Sequence, residues 1–307
     1  MKYLVTGGSG FIGGHLVEEL IAQGHEVTIF DKEPPIFFET EPQAKYIGGD
    51  IRDLEAVISA CHGMDGVFHL AGVLGTAETM NSIVDTADIN VVGSLRVFEA
   101  IRKYRKKAVY VTIGNDWENP YTITKTATAR FALMYNREFG TKITVIRGLN
   151  VYGSRQKWFP VNKFFPRFCV NYLNGEQIPI YGDGEQLIDV VYVGDVVEAL
   201  IKAMETDFGE EQYEQILDAG TGHALPVNEV VRMVISEIEG RTVNDNELKK
   251  HIKYLPMRPG EPIKSQTLGS VAKINEILNF VARTTLKEGF EISVDWYKEN
   301  YKDFFRR

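Results

Sequence analysis

The chain has 307 residues, of which 44% are hydrophobic and 25% charged, the proportions of an ordinary globular protein and not of a collagen-like or disordered one. Its net charge of −8 removes the electrostatic footprint that nucleic-acid binders use on phosphate. Two cysteines, Cys61 and Cys169, make no disulfide framework, and no CxxC or Cys/His spacing suggests zinc. No apolar run reaches the roughly eighteen residues of a membrane span. With no signal-peptide pattern after Met1, a cytoplasmic protein is expected.

In chain order, β-branched runs at 2–6, 26–30, 66–70, 108–113 and 143–147 predict buried strands, with a weaker one at 45–48. Helical periodicity falls between them at 11–23, 53–61, 84–105 and 121–139. The basic run 102–107 closes one of these patterns, where cations complement the helix dipole. Alternation of this kind predicts an α/β fold with a doubly wound parallel sheet, whose ligands lie at the carboxyl ends of the strands. The segment 34–42 reads as a loop. After about residue 150, Gly and Pro become frequent, a strand follows at 187–193, and helices follow at 162–173, 195–205, 227–239 and 271–278. We therefore expect a cofactor domain over 1–150 that also receives 186–206, and a smaller mixed lobe over 151–307.

The first strand runs into Thr6-Gly7-Gly8-Ser9-Gly10-Phe11-Ile12-Gly13, which opens a helix. Gly7 permits the tight turn, Gly10 lets backbone approach a pyrophosphate, and Gly13 lets helix and strand pack closely. Asp31 ends the second strand eighteen residues after Gly13, placed to accept hydrogen bonds from ribose hydroxyls and to repel a 2′-phosphate. NAD is favoured over NADP, although Lys32 lies beside the acid. Tyr121 and Lys125 are one helical turn apart and share a face. An ammonium there lowers a phenol from its usual pKa of about 10 towards neutrality, which equips it to take a proton from a sugar hydroxyl.

With these two motifs the chain resembles the extended short-chain dehydrogenase/reductases, specifically the NAD-dependent nucleotide-sugar epimerases and dehydratases. The resemblance extends through Gly49-Asp50-Ile51-Arg52-Asp53, His69-Leu70-Ala71-Gly72 and Asn90-Val91-Val92-Gly93-Ser94. It continues in Arg147-Gly148-Leu149-Asn150-Val151-Tyr152-Gly153, Gly182-Asp183-Gly184-Glu185-Gln186 and Arg258-Pro259-Gly260-Glu261. It implies a Rossmann sheet and NAD held by Gly7, Gly10, Phe11, Ile12, Gly13, Asp31, Lys32, Asp50, Ile51, Leu70, Ala71, Gly72, Asn90, Tyr121 and Lys125. It also implies a UDP-sugar substrate held by Asn150, Arg155 and Arg258, and a homodimer built on the helices at 84–105 and 121–139. No nucleic-acid or membrane partner is expected.

Three positions depart from the family pattern. Gly114 stands where a Ser or Thr hydroxyl normally meets the reacting sugar oxygen, so Thr112, two residues earlier on the same strand face, is the candidate third catalytic group, with Thr122, Thr124 or a water as alternatives. Asn115-Asp116-Trp117-Glu118-Asn119 replaces a longer loop and lacks the Asp-Glu pair of the 4,6-dehydratases. Ile188 stands where an Arg normally binds pyrophosphate, so either Arg155, Lys157 or Arg167 takes over or the nucleotide sugar is held differently. The resulting expectation is C4 epimerisation of a UDP-hexose through a 4-keto sugar. The alternatives are a dehydratase, reductase or decarboxylase on the same scaffold, or a non-catalytic NAD-binding protein.

Overall fold

The side chains of Leu4 and Val5 in β1 (Lys2–Thr6) are fully buried, as a strand covered on both faces requires. The computed structural model describes residues 1–35, 44–157 and 159–304, so most of the 34–42 loop lies outside the described residues. From β1 the chain runs through α1 (Phe11–Ala22), β2 (Glu26–Asp31), β3 (Lys45–Gly48), α2 (Leu54–Cys61) and β4 (Gly66–His69). Next come α3 (Ile83–Ala87), a π-helical turn (Asp88–Gly93) and α4 (Ser94–Tyr104), which interrupt the single helix predicted at 84–105. The half ends with β5 (Lys107–Ile113), α5 (Pro120–Phe139) and β6 (Lys142–Gly148).

The second half contains β7 (Asn150–Tyr152), α6 (Phe164–Leu173), β8 (Ile178–Tyr181), β9 (Leu187–Tyr192), α7 (Val193–Glu205) and β10 (Ile216–Ala219). It continues through β11 (Ala224–Pro226), α8 (Val227–Glu239), α9 (Asp245–His251), β12 (Ile252–Leu255), β13 (Gln266–Thr267), α10 (Val271–Leu278) and α11 (Leu286–Phe304). Among the described residues no helix is long and apolar enough to cross a membrane.

Seven parallel strands form the central sheet in the order β10-β6-β5-β4-β1-β2-β3. The winding direction reverses between β1 and β4, which opens a crevice above their carboxyl ends. Leu16, Val17 and Leu20 of α1 pack with Val196 and Leu200 of α7 on one face. Val57, Val97, Phe98, Ile101 and Ala132, from α2, α4 and α5, cover the other. The sheet draws its seventh strand from 216–219, beyond the boundary expected from sequence, whereas β9 pairs outside it with β7, β11 and β13. Four short residues of β10 carry too little pattern to be read in advance; their burial comes from pairing with β6.

The second lobe has its own core, in which Phe165 and Phe168 of α6, Val230 and Val234 of α8, and Phe290, Val294 and Tyr297 of α11 converge on Tyr152. A cleft of about 730 Å³ runs between this lobe and the carboxyl edge of the sheet.

Candidate active site

The cleft begins at the glycine turn. Gly7 has φ +74°, and a Cβ there would lie 2.6 Å from the Ala71 nitrogen. At Gly13 a Cβ would lie 2.1 Å from the Gly7 oxygen, so only glycine lets α1 sit this close to β1. Gly10 caps α1 without any side-chain hydrogen bond, which leaves the first N–H groups of the helix to face the cleft beside Phe11 and Ile12. Asp31 closes β2, with one carboxylate oxygen accepting from the Ser9 N–H at 3.1 Å, and burial pushes its carboxyl up. Lys32 is paired with Asp50 at 3.0 Å, and Arg52 grips the same carboxylate at 2.7 Å. The Arg52 guanidinium holds Asp50 well below the usual carboxylate range. Lys32 is thus occupied by a carboxylate instead of facing a 2′-phosphate. Ile51 is buried, and Leu70, Ala71 and Gly72 form the facing wall. The donor-rich helix end, the strand-end acid and the side-chain-free turn fit a dinucleotide.

Asn90 sits behind that wall. Its amide oxygen accepts from the Val73 N–H at 2.8 Å and its amide nitrogen donates to the Val73 carbonyl and to Thr124. A side chain so fully committed orients the loop after β4 and has no donor left for a cofactor. His69 is similarly satisfied, bonded to Thr6 at 2.7 Å and Ser94 at 2.9 Å, and burial pushes it down to about 3.

Tyr121 and Lys125 project from the first turns of α5 into the cleft. Asn119 caps this helix by accepting from the Thr122 N–H at 2.9 Å, and Pro120 occupies its first turn. Asn119 also donates to the Gly260 carbonyl at 3.0 Å, which ties the Arg258 loop to the helix that carries Tyr121. Lys125 is buried with its ammonium 4.4 Å above the centre of the Tyr110 ring. Burial pushes the Lys125 ammonium down to about 7 and the Tyr121 phenol up to about 12. The expected lowering of Tyr121 by Lys125 is therefore outweighed by enclosure, which disfavours both charged forms.

Thr112 lines the cleft, but its hydroxyl donates to the Lys125 carbonyl at 3.1 Å. Its proton fastens α5 to β5, so a direct donation from Thr112 to a sugar oxygen is not available in this arrangement. Thr122 and Thr124 are committed in the same way, to Asn115 and to the Pro120 carbonyl. A side chain at Gly114 would begin 3.0 Å from Leu149 Cδ1 and 3.2 Å from Leu149 Cα, so Leu149 fills the space a hydroxyl would need. Asn115 and Trp117 line the cleft, whereas Asp116 and Glu118 are exposed.

At the other end of the cleft Asn150 donates to the Asp189 carbonyl at 3.0 Å. Arg258 stacks 5.0 Å from the centre of the Tyr181 ring and pairs with Glu261 at 2.7 Å. Arg167 lies 6.0 Å from the same ring, with a buried Nε that has no hydrogen-bond partner. Ile188 contributes an apolar wall. Arg155 also lines the cleft, where its guanidinium pairs with both oxygens of Glu18 on α1 and with His15 at 2.9 Å. It fastens the second lobe to the cofactor helix. The sequence reading passes over Lys163 and Tyr181, which carry no motif of their own and reach the cleft only through α6 and β8.

The family model described as NAD dependent epimerase/dehydratase family matches residues 3–217. A UDP-N-acetyl-alpha-D-glucosaminuronate decarboxylase of Bacillus cytotoxicus is 28% identical, covering 98% of this chain and 99% of its own. A putative UDP-glucose 4-epimerase of Methanocaldococcus jannaschii is 30% identical, covering 97% and 98%. The crystal structure of a UDP-glucose 4-epimerase with UDP-glucose from Thermotoga maritima superposes with a TM-score of 0.86 at 30% identity, over 98% of this chain and 100% of that one. The chain with the glycine turn, the strand-end Asp31 and the Tyr121/Lys125 pair belongs to the NAD-dependent epimerase/dehydratase family of nucleotide-sugar enzymes.

Proposed function

We propose that this protein is a C4 epimerase of a UDP-linked hexose, working through a 4-keto sugar. The observation that carries this reading is the Tyr121/Lys125 pair, enclosed at the carboxyl end of the sheet beside the glycine turn. The glycine turn and Asp31 would hold NAD⁺, which when bound would supply the hydride acceptor and donor. Tyr121 Oη takes the proton of the C4 hydroxyl, and Lys125 steadies the resulting negative charge. After the keto sugar turns over in the cleft, so that the hydride would return to the other face of C4, Tyr121 gives its proton back to the C4 oxygen. Asn150, Arg167 and Arg258 hold the nucleotide and pyrophosphate while this happens, with planar guanidinium forks suited to phosphate oxygens.

Elimination of water needs a carboxyl group facing the reacting carbon. Asp116 and Glu118 are exposed to solvent, and Glu261 is paired with Arg258, so epimerisation suits these side chains better than dehydration. The exposed apolar side chains Ile83 and Val84 on α3 and Ile123 and Phe131 on α5 support pairing of these helices with a second copy of the chain.

Incubating the NAD-loaded protein with UDP- and dTDP-hexoses tests the reading by product mass. An isomer of unchanged mass is expected. A product lighter by one water or by one carbon dioxide assigns the cleft to a dehydratase or a decarboxylase instead.

A further inference from the structure

A second cavity, of about 930 Å³, opens at the amino edge of the sheet, where α4 and α5 end and β5 and β6 begin. It lies at the far end of α5 from Tyr121, about 30 Å along a helix of 20 residues. The basic run that closes α4 lines it with Arg102, Lys103, Arg105 and Lys106, and Lys142 at the start of β6 adds a fifth cation. Glu99 is the one carboxylate in the lining, and it is already taken. It accepts from the Tyr135 hydroxyl at 2.5 Å and from Arg102 at 2.7 Å.

Arg102 and Lys103, in the last turn of α4, answer the negative end of that helix. The other three cations exceed this need. The last carbonyls of α4 are capped by backbone, the Arg105 N–H donating to Arg102 and the Lys106 N–H to Ile101. Among the described residues neither Arg105 nor Lys106 has an ion pair or a side-chain hydrogen bond. Lys142 meets Asp207 at 3.7 Å, a pair so exposed that it neutralises little. Arg105 also has φ +50°, in the left-handed region that favours glycine, whereas Gly140 closes α5 in the same cavity at φ +63°. A glycine would close α4 with less strain, so helix capping does not account for the guanidinium.

The same cavity has an apolar lining. Leu54 and Ile58 come from α2, and Phe139 of α5 carries the Arg102 guanidinium 4.6 Å from its ring centre. A ligand that matches this lining is polyanionic at one end and flat and apolar at the other. A single phosphate leaves the apolar residues uncovered and most of the positive charge unmatched. A nucleoside triphosphate satisfies both, with its base against Phe139 and its phosphates among Arg105, Lys106 and Lys142.

We propose that this cavity is a second nucleotide site, which takes a nucleoside triphosphate independently of the cleft. Titration calorimetry of the NAD-loaded protein with ATP, inorganic tripolyphosphate and adenosine, in the absence of divalent metal, tests it. The proteins compared are wild type, Arg105→Gly combined with Lys106→Gln, and Lys106→Glu alone, which leaves the helix cap untouched. Thermal melting and NAD content serve as folding controls, and glycine at 105 is expected to melt no lower than wild type because it suits the left-handed position. ATP is expected to bind once per chain, more tightly than tripolyphosphate or adenosine, and both variants to weaken it by about tenfold or more. ATP binding that is equal in wild type and folded variants, tripolyphosphate binding as tight as that of ATP, or no ATP binding to folded wild type overturns the proposal. Each of these results leaves the reading of the cleft standing, because product mass decides that reading separately.

Discussion

At the scale of single residues the proposed chemistry rests on Tyr121. Its phenol is enclosed, with burial alone pushing it up to about 12, so its usefulness as a base depends on positive charge gathered around it. Tyr121→Phe is expected to lower kcat by about 10² to 10⁴-fold while NAD stays bound, checked by turnover assays and by the cofactor content of the purified variant. Both members of the pair were legible in the sequence, because only one of the 14 tyrosines is followed four residues later by lysine. The protonation balance was not legible, since enclosure is a property of the packed cleft. The same limit applies to Thr112, Asn90 and Arg155. Their residue types suit ligand contact, but long-range partners at Lys125, Val73 and Glu18 had already claimed their polar atoms.

Elements place these residues, and two of them give tests. The approach of α1 to β1 leaves no room for a methyl group at Gly13. Gly13→Ala is expected to lose bound NAD and to cost about 1–3 kcal/mol in denaturant unfolding. His69 joins the ends of β1 and β4 to α4 through Thr6 and Ser94 as a neutral ring. Its folded-state pKa is depressed to about 3 from the usual 6.5, so the unfolded chain binds a proton first as pH falls. The resulting stability is complete above pH 6.5 and is lost as pH drops from there towards 3. Thermal melts from pH 7 to pH 4 are expected to show a loss on the order of 3 kcal/mol, with a shallower slope in His69→Gln. An unchanged slope in that variant contradicts the assignment. The strands and helices of the first half were legible because each has a strong period of its own. Helix α11 was also readable, with Leu286, Phe290, Val294 and Tyr297 on one face and a Thr285/Glu288 capping box, although it lies outside the motif-bearing regions. Strands β7, β11 and β13 have two or three residues each, and only their partners define them.

Across the whole molecule, an acidic chain that takes the proposed anionic substrate would hold it by local concentration of charge. Arg167, Arg258 and Lys163 line one cleft of a protein whose net charge is −8. The two lobes are joined by Arg155 and Glu18, so Arg155→Ala is expected to cost about 2 kcal/mol and to weaken NAD binding through displacement of α1. Light scattering is expected to give the mass of a dimer, and Ile123→Glu combined with Val84→Glu to give that of a monomer. The central claim is that C4 is oxidised and then reduced within one enclosed site. It is tested most directly by giving the NAD-loaded protein a UDP-hexose carrying deuterium at C4. The account predicts an epimer of unchanged mass that keeps its deuterium at C4. Loss of the label, or a product lighter by water or carbon dioxide, would contradict it.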